Sequence, residues 1–205
     1  GLLQKTTKNS DQTKTFYWQM DDPIPTYLAA VAIAPYEEIR MNVDGIPVIL
    51  TALASDTANL RKSFENLPTC IRTFESSYGK HTFDRVGFNT VPFNSGAMEH
   101  ATNIAYPRYA IANGDKASET LFAHELAHHW WGNTITCKTQ EDMWLNEGWA
   151  SYSERLFLEA VYGKKAYDDD IEDNHHSVLQ FAHVLDEAIL PVSGIGHAHT
   201  YGRHV

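Results

Sequence analysis

Two histidines, His124 and His128, stand four residues apart, with Glu125 directly after the first. On an α-helix, residues i and i+4 share a face, so both imidazoles can grip one ion. Two neutral imidazoles plus a carboxylate suit zinc and leave a fourth position for water. Bound zinc lowers the pKa of that water to about 7, and Glu125 is then placed to take its proton. Such a site needs a third ligand. Glu147 follows His128 after eighteen intervening residues, which allows one turn and one crossing before an antiparallel helix returns. Its carboxylate can then meet the two imidazoles from the facing helix, completing a site for one Zn2+ per chain.

The surrounding pattern supplies the elements this requires. A first helix carries His124 and His128; Ser118 can cap it and Gly132-Asn133 can end it. A second runs from about Leu145 to Tyr162, with Gly163 past its end, and a third from about Ala166 into the 180s. Before them, Thr15–Met20 alternates as a strand. Tyr27–Ala34 runs apolar, as a strand covered on both faces would. Gly45–Leu50 and Asp84–Phe93 read as further strands. Leu60, Phe64, Leu67, Ile71 and Phe74 recur at helical spacing between them, interrupted by Pro68. Strands first and helices later is an α+β order.

Composition sets outer bounds. Hydrophobic residues make up 43% of the 205 and charged residues 20%, a globular balance and not a disordered one. Sixteen Lys and Arg against twenty-six Asp and Glu give a net charge of −10. No basic block offsets it, which argues against nucleic acid or an anionic membrane as partner. No apolar run approaches the roughly 20 residues of a membrane-spanning helix, and the first residues lack the apolar core of a signal peptide. Compartment stays unassigned. Cys70 and Cys137 form no motif and read as two unrelated buried thiols.

The run HELAHHWWGN followed by WLNEGWASY resembles the gluzincin zinc aminopeptidases, the family of aminopeptidase N and leukotriene-A hydrolase. Gly96-Ala97-Met98-Glu99-His100 is similar to that family's GAMEN sequence, and Ile24–Leu28 to the end of its N-terminal β domain. The resemblance implies a thermolysin-like zincin catalytic domain, with a mixed, twisted β-sheet packed against the HExxH and Glu-bearing helices. It implies that His124, His128 and Glu147 bind zinc and that Glu125 is the general base. Glu99 would bind the free α-amine of a peptide substrate, and Gly96, Ala97 and Met98 would present backbone groups to it. A strand such as Val86–Val91 with a free edge could pair that substrate, and the small residues Gly96 and Ala97 would let it approach.

The resemblance also sets expectations for organisation. Residues 1–38 would be the remnant of a preceding β domain and 39–205 a catalytic domain truncated at its C-terminus, with flanking domains of the parent as partners. His100 replaces the family's Asn and brings a second imidazole near the cleft. The family's oxyanion-stabilising Tyr has no match other than the poor candidate Tyr201, and is expected beyond Val205. Loss of one oxyanion donor costs about a hundred- to a thousandfold in rate, so the fragment would bind zinc and cleave weakly. A zincin endopeptidase, or a zinc- and peptide-binding fragment, are the alternatives. Glu154, seven residues after Glu147, could hydrogen-bond a metal-ligating histidine or serve as a surface group. His129 reads as packed or exposed, and His175, His176 and His183 as surface residues. Trp130, Trp131, Trp144 and Trp149 read as packing around a rigid site.

Overall fold

The computed structural model describes residues 1–185. Its centre is a four-stranded mixed sheet. Ile39, Met41 and Val43 alternate with polar residues in Tyr36–Val43, the first of these strands, and Ile46–Leu53 returns antiparallel to it. Because a two-stranded hairpin of Leu2–Lys8 (β1) and Lys14–Gln19 (β2) precedes them as a separate sheet, these two strands are β3 and β4. The chain then crosses through two helices, α1 (Thr57–Ser63) and α2 (Leu67–Tyr78), into β5 (Val86–Val91), which lies parallel to β4. β6 (Ile104–Pro107) is parallel to β5 and completes the order β3-β4-β5-β6.

Three helices follow: α3 (Glu119–Ala127), α4 (Met143–Tyr162) and α5 (Lys164–Gln180). The α+β order and the mixed sheet are therefore as expected; of the two motif-bearing helices, α3 packs on β6 and α4 packs on α3 and α2. Gly163, at φ 86°, ends α4 in a backbone conformation that side chains disfavour. Pro68 sits in the first turn of α2, where its missing N–H costs nothing. It splits the helical pattern at 57–78 into two helices. Ser118 occupies the N-cap of α3 without a capping side-chain bond; its carbonyl accepts the Tyr106 hydroxyl at 2.8 Å.

The core joins sheet to helices through aromatic rings. Phe64, at the end of α1, packs 5.0 Å from Phe88 of β5, Tyr106 of β6 and Phe122 of α3. Phe122 reaches Phe157 of α4 at 5.3 Å. Each such pair adds roughly 0.5–1.5 kcal/mol beyond its burial. The result clamps α3 between the sheet and α4. By contrast, α5 has no buried residue and is laced by Lys164–Asp168 and Lys165–Asp169 pairs, which matches a surface role for His175 and His176.

Two expectations fail. Tyr27–Ala34 is not a buried strand: Thr26–Leu28 forms a short 3-10 turn and the rest is irregular. Only Leu28 is buried, while Val31 and Ile33 are 84% and 90% exposed. The apolar composition is real, but among the described residues no second layer covers this segment. Nor has Val86–Val91 a free edge. β4 and β6 flank it on both sides, and its residues are buried almost throughout. The C-terminal stretch from Pro191, with Tyr201, lies outside the described residues.

Candidate metal centre

α3 and α4 pack side by side and put the expected ligands face to face. His124 Nε2 lies 3.1 Å from Glu147 Oε2, and His128 Nε2 lies 3.5 Å from the same oxygen. Zinc bonds of about 2.0–2.1 Å at tetrahedral angles separate neighbouring donor atoms by about 3.3 Å. Glu147 Oε2 thus already has the corner-to-corner spacing of a zinc tetrahedron to each imidazole nitrogen, all three ligand atoms lie within 4.8 Å of one another, and the donor set fits the ion.

Each imidazole is held from behind. His124 Nδ1–H donates to Glu154 Oε1 at 2.9 Å. His128 Nδ1–H is shared between Asn146 Oδ1 at 2.8 Å and the Trp131 carbonyl at 3.0 Å. These bonds fix the tautomer that leaves both Nε2 lone pairs facing Glu147. Glu154 therefore takes the inner of the two roles open to it. Gly132 shares in the same arrangement: its φ is 137°, and a Cβ there would overlap the Asn146 amide.

Electrostatics reflect acidic and basic groups crowded together. Burial opposes charging His124, but hydrogen bonds to Glu147 and Glu154 overcome it and push its pKa up to about 10. Burial likewise opposes ionising Glu147, and the bonds to His124 and His128 override it, bringing the carboxyl down to about 2. The site holds a negative ligand and two inward-facing nitrogens that only a proton or a cation can bridge.

Glu125 is 5% exposed, and burial pushes its pKa up to about 7. Its Oε2 is buried without a hydrogen-bond partner. Glu99, 7% exposed, comes from a different element. Met98 pairs with Ala105 of β6 through Met98 N–H to Ala105 O at 3.0 Å and Ala105 N–H to Met98 O at 2.9 Å. Met98 thus bridges the outer edge of β6 at this one pair. Asn133 ties the Gly96–Glu99 segment to α3, donating Nδ2–H to the Glu99 carbonyl at 2.8 Å and its backbone N–H to the His128 carbonyl at 2.8 Å. Ligand atoms of Glu99, Glu125 and His128 lie within 4.8 Å of one another.

His124, Glu125, His128, Glu147 and Glu99 therefore gather in one place, and Gly96, Ala97 and Met98 lead directly into Glu99. Sequence reasoning missed Asn133 and Asn146. Their residue type carries no signal by itself; only their places in WWGN and WLNEG, next to the ligands, could have drawn notice. His100 is half-buried beside Glu99; burial lowers its pKa, and the Glu99 charge works the other way. His129 is buried and hydrogen-bonded to His81 at 2.8 Å, turned away from the ligands. Trp131 stacks on Trp149 at 4.8 Å and Trp130 packs on Phe74.

Residues 58–189 match the peptidase family M1 domain. The chain belongs to this family. Among M1 relatives, it is 30% identical to leucine aminopeptidase 2 of Candida glabrata over 80% of the chain, and 30% identical to leucine aminopeptidase 2 of Aspergillus terreus over 99%. It spans only 25% and 32% of those two proteins. Among solved structures, a substrate-bound mutant of the M1 zinc metallopeptidase of Deinococcus radiodurans superposes with a TM-score of 0.76. The identity is 23%, covering 87% of this chain and 40% of that one. The M1 fold is thus shared well beyond the matched motifs.

Proposed function

We propose that this chain is the zinc-binding catalytic core of an aminopeptidase, which removes the N-terminal residue of a peptide. The observation that carries the reading is the spacing of His124, His128 and Glu147, with the unpartnered Glu125 carboxylate and the buried Glu99 alongside. Membership of family M1 and the leucine aminopeptidase relatives support it.

His124, His128 and Glu147 would hold the ion. Bound zinc would supply Lewis acidity and lower the pKa of a water to about 7. Glu125 accepts a proton from the attacking water at Oε2 and delivers it to the leaving amine nitrogen. Glu99 receives the α-ammonium of the substrate, which restricts cleavage to the first peptide bond. Gly96, Ala97 and Met98 offer their side away from β6 to the substrate backbone. β6 already takes the inner side. Residues 1–38 fit the end of a preceding β domain, because β1 and β2 form a sheet of their own, although the proposed division falls inside β3.

The test joins metal analysis with a substrate pair. About one zinc per chain and hydrolysis of a leucyl reporter, with refusal of its N-acetylated counterpart, are expected. Equal cleavage of the acetylated compound would favour an endopeptidase. Zinc without any cleavage would favour a binding fragment.

A further inference from the structure

We infer that a second divalent cation binds beside the first, held by the carboxylates of Glu99 and Glu125. It takes the place that the proposed function, on which this inference rests, gives to the substrate's ammonium.

Glu99, Glu125 and His128 form a second ligand group, all three buried, with ligand atoms within 4.8 Å of one another. It shares His128 with the first. His128 Nδ1 is committed to Asn146 and Trp131, and Nε2 faces Glu147. In the zinc-loaded protein the fixed ligands of the second position are therefore the two carboxylates, with water for the rest. Such an all-oxygen set suits hard divalent ions and accepts zinc in excess. Pairs of ions about 3.5–4 Å apart are common where ligand groups adjoin in this way.

The local charge favours a cation. No Lys or Arg forms an ion pair with either carboxylate among the described residues. Glu125 is 95% buried, its Oε2 has no hydrogen-bond partner, and its carboxylate lies within 4.8 Å of the Glu99 and His128 ligand atoms. Two buried like charges at this range repel, and a divalent ion relieves that more fully than a single ammonium. Zinc then has two opposed effects: the first ion enables turnover, and the second competes with the peptide's N-terminus.

Manganese is the probe, because it prefers oxygen ligands and does not displace zinc from two imidazoles. The zinc-loaded chain is titrated with Mn2+, and bound Mn2+ is read by electron paramagnetic resonance. One Mn2+ per chain is expected, displaced by leucinamide and not by N-acetyl-leucinamide. In Glu99→Gln and Glu125→Gln the Mn2+ affinity should fall roughly tenfold or more, while one tightly bound zinc and the circular dichroism spectrum are retained. No Mn2+ binding at millimolar concentration, or binding unchanged in Glu99→Gln, overturns the inference. So does Mn2+ that is lost only in Glu147→Ala, which marks the first site. A wild-type chain that retains no zinc overturns the proposed function instead, and the dependence of Mn2+ on Glu99 is read on the same samples. Failure of leucinamide to compete overturns the shared position.

Discussion

The α3–α4 pair and the segment before β3 handle their residues in opposite ways. In the helix pair, each ligand histidine has a second partner behind it, and aromatic packing from Phe64 to Phe157 fixes the helices. In residues 21–35 the chain is tethered at few points, such as Leu28 O to Ala101 N–H at 3.1 Å and Ala30 O to Asn103 Nδ2 at 3.2 Å. The same segment lines one side of a cavity of about 400 Å³, with Trp18 and Arg85 among the residues opposite. Chemistry that needs atoms placed to a few tenths of an ångström is confined to the region where packing and hydrogen bonds agree.

The largest effects should come from breaking the ligand set and its base. Glu147→Ala should leave the chain with no bound zinc by elemental analysis. Glu125→Gln should keep the zinc while activity falls about a hundred- to ten-thousandfold; retained activity would remove Glu125 from the mechanism. The groups behind the ligands come next. Glu154→Gln and Asn146→Ala should each weaken zinc binding about 10–100-fold, measured against a competing chelator. Unchanged affinity would mean that the ligands need no such support.

Proton linkage sharpens the same contrast. His124 has a folded pKa raised to about 10 by Glu147 and Glu154 against the cost of burial. Its stabilisation is complete below the unfolded value of about 6.5 and is lost as pH rises through about 10. Glu147, brought down to about 2 against its own burial, contributes above the unfolded value of about 4.5 and loses that only as pH falls through about 2. The metal-free chain should therefore lose thermal stability between about pH 6.5 and 10. With zinc bound, the ion replaces the proton and that decline should flatten. Zinc binding at pH 7 should release protons, seen as a binding heat that varies with buffer ionisation enthalpy. A buffer-independent heat would contradict a protonated His124.

The two regions were not equally legible from sequence. His124, Glu125 and His128 are legible because helical spacing is local, and Glu147 because a short turn leaves few ways for the next helix to return. Asn133 and Asn146 are not, since an asparagine states nothing about which groups will surround it. The edge assigned to Val86–Val91 fails for a related reason. Strand order is decided by segments distant in sequence, and β6 covers that edge. Pro68 was legible as an interruption, but its outcome, a helix start and not a kink, depends on how α1 ends at Phe64.

The apolar run at 27–34 is the sharpest case, and it yields the smallest effect. Its composition matches a strand covered on both faces, yet its side chains face different surroundings. Leu28 is fully buried against Phe83 and Ala101, while Val31 and Ile33 are almost fully exposed. Leu28→Ala should cost about 2–5 kcal/mol, as for a typical buried leucine. Val31→Ser combined with Ile33→Ser should stay within about 0.5 kcal/mol per site in denaturant unfolding, because neither side chain leaves a packed environment. A large loss from the double change would mean that these residues are covered in the folded chain. The segment would then resemble the helix pair in being packed, and the contrast between the two regions would fail.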